Sequence, residues 1–385
     1  MDSTSSRKLT QDVWRYIFEE IVDEAKSAHI ALPLLLVCKQ WKAIALPLLY
    51  RYLHFYEPPS ITKCLQTLVR QGIRGAYPGN STRSIALDDG TPWPDITAPR
   101  LERLLRYTPR LKVFNSSMLP VGTDILDILG QTCGPLLEKL DIAIGGKSTD
   151  VTLQLALLNR FTSLEHLTIE LFDMAQIISM DTPALDMPSL GVLILSCFTD
   201  EPWSSLVHFL CRSSFVALDF LSLIDYSGQL LGQQPCQTVL PLLETFGHQL
   251  LTVALYLPSG EDVARLLFGP LKTVKKIYLL CTLPDDIGRF LPASLNELQL
   301  HIDFQDGPQM QDLLQCLDNL RDKKRKTHAL EMVQLYSWAT NVQFYWSTIG
   351  ANDPAFAGNL MLRSIGLQSK GIKLLDSAGK SVTLS

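Results

Sequence analysis

One apolar pattern, Leu-x-x-Leu-x-Leu, recurs along most of this chain and constrains its fold more than any other feature. Nine copies can be read directly, and a looser copy, Ile85-x-Leu87, precedes them. The nine are Leu111-x-x-Phe114, Leu137-x-x-Leu140-x-Ile142, Leu164-x-x-Leu167-x-Ile169, Leu190-x-x-Leu193-x-Leu195, Leu218-x-x-Leu221-x-Leu223, Leu250-x-x-Val253-x-Leu255, Val274-x-x-Ile277-x-Leu279, Leu295-x-x-Leu298-x-Leu300 and Leu330-x-x-Val333-x-Leu335. The first five begin 26, 27, 26 and 28 residues apart. Such a spacing indicates stacked structural repeats, each burying its leucines against its neighbours.

The segments between the copies have helical or extended-turn character. They are Asp124–Gln131, Val151–Arg160, Ser204–Cys211, Val239–Phe246, Asp262–Phe268 and Met310–Arg321. A short strand alternating with a short helix at this period is typical of a leucine-rich-repeat solenoid, an α/β fold with a parallel sheet on its concave side. We predict this solenoid over residues 81–336, after a junction at 54–80 and before a C-terminal cap at 337–385.

The residues that alternate with the strand leucines are predicted to line the concave face. In the outer repeats they are polar, whereas the middle repeats present apolar and aromatic residues. The middle set is Val192, Ile194, Phe220, Ile224, Tyr256 and Tyr278. Clustered exposed residues of this kind mark protein-binding surfaces, so we predict that they bind a protein target. The alternative, that a tail or loop covers this patch, stays open.

The first fifty residues do not share the repeat. Val13, Ile17 and Ile21, with Trp14 and Phe18, recur at helical spacing, and Thr10 is placed to cap that helix. A polar stretch follows, and a second helix is predicted to open near Pro33. A segment of about 45 residues is close to the lower size limit of an independent domain. It either caps the solenoid or offers apolar surface to another chain.

Residues 9–53 resemble an F-box module. The resemblance is carried by Leu9-Thr10-Gln11-Asp12-Val13-Trp14-Arg15-Tyr16-Ile17-Phe18 and by Leu35-Leu36-Val37-Cys38-Lys39-Gln40-Trp41, and the following Leu46-Pro47-Leu48-Leu49-Tyr50-Arg51 is similar to large fungal F-box-like families. Thr10 stands where the family usually has proline, and the connection from Phe18 to Val37 is longer than is common. The resemblance implies a small all-α module that binds the Skp adaptor, and through it a cullin, in a ubiquitin ligase. It implies that the module's fold and adaptor-facing surface are formed by Leu9, Val13, Ile17, Phe18, Leu35, Val37, Cys38 and Trp41.

The function that follows is recruitment of a protein target to the ligase by a non-catalytic subunit. The alternative is a leucine-rich-repeat binding scaffold with no ligase role. The sequence offers no Gly-x-Ser-x-Gly nucleophile motif and no HExxH metal motif. Gly145-Gly146-Lys147-Ser148-Thr149 lacks the first glycine of a phosphate-binding loop, since Asp141 stands at its position. We therefore expect no catalytic residues, no metal and no cofactor.

Composition narrows the class of partner and the compartment. The net charge is −5, which does not suggest nucleic-acid binding. The longest apolar run, Ile30–Cys38, is far shorter than a membrane-spanning helix. The polar N-terminus and scattered cysteines without CxxC spacing indicate a reduced compartment, the cytoplasm or the nucleus.

Overall fold

The structure of the protein, a computed structural model, describes residues 3–87, 97–144, 154–171, 182–197, 204–225, 235–256, 261–280, 287–304, 306–322, 329–337 and 343–382. Within these residues the chain is an α/β protein in which parallel strands alternate with helices. Its internal contacts divide it into two compact units. Unit 1 comprises Met1–Leu190 with Ser214–Val216, and unit 2 comprises Gly191–Ser213 with Ala217–Ser385.

Unit 1 opens with a helical segment. Its elements are α1 (Ser3–Ala25), a 3-10 helix (Ala28–Ile30), α2 (Ala31–Val37), α3 (Lys39–Ala45) and a 3-10 helix (Leu46–Tyr50). The break after α1 falls in the predicted polar stretch, where Lys26 adopts a positive φ of 47°. Two details of the prediction were wrong. Thr10 lies inside α1 and does not cap it, and the predicted second helix is divided at Cys38.

The rest of unit 1 alternates strands and helices. In chain order these are β1 (Tyr52–Phe55), α4 (Pro58–Ile73), a 3-10 helix (Pro78–Ser81), β2 (Ser84–Leu87), α5 (Thr97–Arg106), β3 (Val113–Pro120), α6 (Thr123–Cys133), a 3-10 helix (Gly134–Leu136), β4 (Lys139–Ile144), a 3-10 helix (Leu155–Arg160) and β5 (His166–Leu171). Each strand pairs in parallel with the next one in the chain. The helical segment predicted at Val151–Arg160 is a 3-10 helix in its described part.

Unit 2 repeats the same alternation. Its elements are β6 (Val192–Cys197), α7 (Ser204–Cys211), β7 (Phe220–Asp225), α8 (Pro235–Phe246), β8 (Thr252–Tyr256), α9 (Glu261–Phe268), β9 (Lys276–Leu280), a 3-10 helix (Ile287–Arg289), β10 (Glu297–Ile302), α10 (Gly307–Asp322), β11 (Met332–Ser337), α11 (Trp346–Asn352), α12 (Pro354–Gln368) and β12 (Lys373–Leu375). Here too every strand pairs in parallel with its successor.

The repeat leucines form the core of each unit. In unit 1, Leu140 and Leu167 are fully buried together with Leu129 of α6, and in unit 2, Leu193 and Leu221 are buried in the same way. One face of each sheet therefore packs against the helices. We call the opposite face, made by the residues that alternate with these leucines, the non-core face.

Each unit has one strand that the leucine pattern does not predict. In unit 1, β1 begins at Tyr52, near the end of the segment 9–53 for which the resemblance implies an all-α module, and its Leu53 pairs with Ile85 of β2. In unit 2, the predicted cap contains β12, which pairs with β11. After β12 the chain makes a tight turn, closed by a bridge between Leu375 and Ser381.

Candidate functional sites

The helical segment of unit 1 has its own small core, which accounts for three of the predicted adaptor-binding residues. Phe18 is 2% exposed and packs with Val22, Ala31, Ile44, Ala45 and Leu48. Trp41 and Leu35 are partly buried against this cluster. The Trp41 ring lies 4.8 Å from the Phe18 ring and 4.7 Å from the Trp14 ring, centroid to centroid. Phe18, Leu35 and Trp41 therefore hold the segment together.

Three other predicted residues point away from that core. Val13 is 52% exposed, Ile17 37% and Val37 59%. On α1, Val13, Ile17 and Ile21 follow one another at four-residue spacing and form one exposed apolar stripe. It lies beside the stripe that packs into the core, formed by the partly buried Trp14 and the buried Phe18 and Val22. We call Val13, Ile17 and Ile21 the α1 stripe. The side chain of Leu9 lies outside the described part of the chain.

Sequence reasoning missed further exposed apolar residues in this segment. Tyr16 borders the α1 stripe, and α2 exposes Leu32 and Leu36, the latter to 87%. The four-residue spacing of Leu32 and Leu36 was the available signal. A soluble protein seldom exposes so many large apolar side chains within a few dozen residues, so this surface is a candidate for contact with another chain.

Cys38, the eighth predicted residue, has a local structural role. Its backbone is extended, with φ −161°, and its Sγ accepts a hydrogen bond from the backbone N–H of Trp41 at 3.4 Å. It therefore caps α3 and sets the corner between α2 and α3. Its side chain is exposed beside Val37.

An ion-pair cluster ties α1 to the start of the strand ladder. The Arg51 guanidinium donates to both carboxylate oxygens of Asp23 at 2.5 Å, and the Tyr52 hydroxyl donates to the same carboxylate at 2.9 Å. Burial opposes the charge on Arg51, but the hydrogen bond to Asp23 and the nearby carboxylates raise its pKa. Because a bidentate pair fixes both position and angle, α1 is held in one orientation on this end of the ladder.

In unit 2 the predicted target-binding residues lie on the non-core face, as expected. Val192, Ile194, Phe220, Ile224 and Tyr278 are all half-buried, and the side chain of Tyr256 lies outside the described residues. Phe220 and Tyr278 belong to strands that are not neighbours, yet their rings meet edge to face at 6.2 Å. On β8, the strand between them, Thr252 pairs with Phe220 and Ala254 pairs with Tyr278, and the small side chain of Ala254 leaves room for the contact.

A chain of polar contacts continues this face toward the end of unit 2. Lys276 forms an ion pair with Glu297 at 2.7 Å and places its ammonium 4.9 Å from the Tyr278 ring. The Gln299 amide donates to Glu297 at 2.7 Å and to Gln334 at 3.1 Å. Burial opposes the charge on Lys276, but hydrogen bonds to Glu297 and Tyr278 raise its pKa. These contacts provide the charged and hydrogen-bonding groups of Lys276, Glu297 and Gln299 with partners inside the protein, which favours a surface that is already ordered before a partner binds.

Two aromatic residues meet at the end of this face: His301, which the alternation of the strand residues places there, and Tyr336, which the sequence reasoning missed. The His301 and Tyr336 rings stack with centroids 5.0 Å apart. Burial lowers the pKa of His301, so its ring is neutral at neutral pH. A neutral stacked pair of this kind offers a flat aromatic surface with polar edges.

The non-core face of unit 1 carries two acidic side chains, the buried Asp141 and the half-buried Glu170. Asp141 on β4 is only 5% exposed, and its Oδ2 lies 3.1 Å from the Lys139 ammonium. Its other oxygen, Oδ1, has no hydrogen-bond partner among the described residues. Burial, and then the charge of Asp141, raise the pKa of Glu170 on β5 to about 7.

Two other features, a metal site and a membrane-spanning helix, are absent from the described residues. No group of three or more histidine, cysteine or acidic side chains there could hold a metal ion. No helix in the same residues is long and apolar enough to cross a bilayer. The glycine-containing segment Gly145–Thr149 lies outside the described part of the chain.

Comparison of the sequence with models of known protein families, and with curated proteins, gives no match.

Proposed function

We propose that this protein is a substrate-recruiting subunit of a Skp–cullin–F-box ubiquitin ligase, acting in the cytoplasm or nucleus. The helical segment, as an F-box-like module, binds the Skp adaptor, and the leucine-rich-repeat strands bind a protein target. The mechanism is tethering. Holding a target near a loaded ubiquitin-conjugating enzyme raises the effective concentration of the target's lysines without any chemistry by this chain.

The observation that carries the proposal is the exposed α1 stripe on a segment whose core is already complete. Phe18 and Trp41 fill that core, so Val13 and Ile17 are not needed inside it. A segment serving only as a cap for the repeats would present a polar outer surface. Exposed apolar residues at the positions that the F-box resemblance assigns to adaptor contact favour a partner there.

The second interaction, with the target, is proposed for the non-core face of unit 2. Its half-buried Phe220 and Tyr278 are held by mutual contact and by Lys276. Aromatic residues with restricted side chains lose little entropy when a partner binds, and they dominate the energy of many interfaces. A repeat scaffold without a ligase role would bind its target through the same face. Binding of the Skp adaptor therefore distinguishes the two functions.

The test is co-expression of the full chain with the Skp adaptor, followed by size-exclusion chromatography. We expect co-elution, and loss of co-elution in the double variant Val13→Asp/Ile17→Asp. Because both side chains are exposed, the variant should keep the circular dichroism spectrum of the wild type. Leu362→Asp, on the exposed side of α12 in unit 2, is the matched control and should still co-elute.

A soluble, folded wild-type chain that elutes without the adaptor would contradict the ligase function and leave the scaffold alternative. Co-elution that survives the double variant would place the adaptor elsewhere on the chain. In either case the target-binding proposal is tested separately, by capture of interacting proteins with the wild type and with Phe220→Asp.

A further inference from the structure

Two adjacent pockets open on the surface of unit 1 and share one wall, formed by Tyr77 and Pro78. Their volumes are about 160 and about 240 Å³. Half of the residues that line each pocket are tyrosines and prolines, so both pockets have rigid walls. We call the two pockets together the tyrosine–proline groove, after the six residues of these types that line it: Pro47, Tyr50, Tyr77, Pro78, Tyr107 and Pro109.

Glycines at three positions bring the walls of the groove together. The chain turns at Gly75, where φ is +77°, and returns so that the Tyr77 ring lies beside Gly72, 3.7 Å from the position of an added Cβ. Gly79 lies directly against the residue that follows α5, since a Cβ added to it would be 2.1 Å from the Tyr107 carbonyl oxygen. Only glycine allows this approach, which sets the distance between the two tyrosine walls. The groove is therefore formed before a ligand binds, and this lowers the entropy cost of binding.

The surface around the groove is basic, although the chain as a whole is acidic. Residues 58–112 contain nine basic and four acidic side chains, a net charge of +5, against −5 for the whole chain. Arg106 lines the groove, and its ion pair with Glu102, at 3.1 Å, is exposed and so contributes little. Arg110, which follows Pro109, is exposed and forms no ion pair within the described residues. Two arginines at the groove can therefore pair with acidic groups of a ligand.

The shape of the groove restricts its ligand. An amphipathic helix needs one continuous apolar groove over several turns, whereas two small pockets side by side accept separate side chains. In polyproline II, residues three apart lie on the same edge of the segment, about 9 Å from one another, so that successive prolines can enter neighbouring pockets. Aromatic-lined grooves bind such segments because the segment is already extended and loses little entropy.

A single-stranded nucleic acid is the other ligand that uses aromatic and basic side chains together. Its regular negative charges would meet a chain whose net charge is −5, which is unfavourable. A short acidic segment of a protein needs only the basic charge close to the groove. The observations therefore favour a protein ligand.

We propose that the tyrosine–proline groove binds a proline-rich segment of a partner protein, and that Arg106 and Arg110 pair with acidic residues of that segment. Charge complementarity between the basic surroundings and the acidic residues is the argument for that occupant. The inference goes beyond the proposed function, because the groove lies outside both the α1 stripe and the non-core face. Binding involves packing, hydrogen bonds and ion pairs alone, with no covalent change.

The experiment measures the fluorescence anisotropy of a labelled peptide while the full chain is titrated into it. In this peptide, prolines stand three residues apart between alanines, and three glutamates follow. One comparison peptide has alanine in place of the prolines, and another has glutamine in place of the glutamates. A labelled single-stranded oligothymidylate is the nucleic-acid probe.

Two variants of the groove are compared with two matched controls. Tyr77→Ala removes the wall that the pockets share, and Tyr56→Ala removes a tyrosine of unit 1 outside the groove. The two side chains are similarly exposed, to 64% and 61%. Arg106→Gln removes a charge at the groove, and Arg289→Gln removes one from an exposed position in unit 2.

We expect the peptide with prolines and glutamates to bind more tightly than either comparison peptide and than the oligothymidylate. Tyr77→Ala should weaken its binding by roughly tenfold, as truncation of a central aromatic residue does in many interfaces. Arg106→Gln should weaken it by roughly three- to fivefold and leave the binding of the glutamine peptide unchanged. Tyr56→Ala and Arg289→Gln should each change it by less than about twofold. Thermal melts establish that each variant is folded, and Arg106→Gln carries the comparison if Tyr77→Ala does not fold.

A folded wild type that binds none of the peptides would overturn the inference, as would equal binding of the alanine peptide or equal weakening by Tyr56→Ala and Tyr77→Ala. Tighter binding of the oligothymidylate would also overturn it and assign the groove to a nucleic acid. The outcome does not depend on the adaptor. A chain that fails to bind Skp but discriminates between the peptides would contradict the ligase function and retain this site.

Discussion

Replacing Glu170 by glutamine removes a carboxyl group whose pKa is raised to about 7, first by burial and then by the charge of Asp141. The ordinary value, which the unfolded chain is expected to show, is 4.5. The folded state therefore favours the neutral acid. The stability that this preference contributes is fully present below about pH 4.5 and is lost as the pH rises through about 7.

The size of the effect follows from the shift. A rise from 4.5 to about 7 corresponds to at most about 3 kcal/mol. Since Glu170 is only half-buried, solvent screening reduces this to roughly 1–2 kcal/mol. Glutamine does not ionise, so Glu170→Gln should be more stable than the wild type by that amount near pH 8. The two proteins should be about equally stable near pH 4.5. Asp141→Asn should recover the smaller part, because burial is the larger cause.

The assay is urea unfolding followed by circular dichroism across this pH range, with Glu165→Gln as the control. Because repeat chains can unfold unit by unit, hydrogen exchange at the β4 and β5 amides should accompany it. Parallel pH profiles for the wild type and Glu170→Gln would refute the reasoning. So would a wild type that becomes more stable relative to Glu170→Gln between pH 6 and pH 8.

Three further predictions concern the core, the last strand and the cysteines. Leu193→Ala removes a fully buried side chain and should reduce the free energy of unfolding by about 2–5 kcal/mol. Val216→Ala, at an exposed position, should change it by less than about 0.5 kcal/mol. Denaturant unfolding midpoints measure both effects. Asp376→Ala should release the turn after β12, because the buried Asp376 carboxylate accepts hydrogen bonds from the backbone N–H groups of Ala378 and Lys380 at 3.0 and 2.8 Å. The expected result is faster amide hydrogen exchange in β12, with unchanged exchange in β6. The exposed Cys38 should react with a thiol reagent well before Cys133, because Cys133 is buried and burial raises its pKa to about 11. Peptide mass mapping of the labelled cysteines checks the order of reaction.

The leucine pattern predicted the strands well, even for two incomplete copies, in which Thr82 stands three residues before Ile85 and Ser116 stands two residues after Phe114. All ten predicted strand positions, from Ile85 to Leu335, are strands in the structure. The two strands that were missed break the pattern. At β1, Tyr50 occupies the first apolar position of the pattern, three residues before Leu53. At β12, Asp376 occupies the third apolar position. Asp376 is tolerated there because backbone N–H groups satisfy its buried carboxylate, a compensation that the pattern of leucines does not encode.

The non-core face was predictable in position but not in accessibility. Alternation placed Phe220, Tyr278 and Asp141 on that face correctly. Yet Asp141 is buried and Phe220 is half-buried, since side chains on neighbouring parallel strands stand close enough to cover one another. How far a residue is covered depends on the size of its lateral neighbours. Those neighbours come from repeats more than twenty residues away in the chain, as Ala254 does for Phe220 and Tyr278.

The dependence of burial on neighbouring elements also explains why the spacing of apolar residues in the sequence could not separate the α1 stripe from the core. Val13, Ile17 and Ile21 run parallel to Trp14, Phe18 and Val22, one residue apart, so the helix is apolar over a wider arc than one packed face requires. The positions of α2, of α3 and of the 3-10 helix at Leu46–Tyr50 decide which stripe is buried, since they supply the residues that pack against it, Ala31, Trp41, Ile44 and Leu48. Arg51 and Asp23 then fix α1 against the first strand. The excess apolar arc is therefore left facing outward in a defined orientation, which is the condition a docking surface for another chain has to meet.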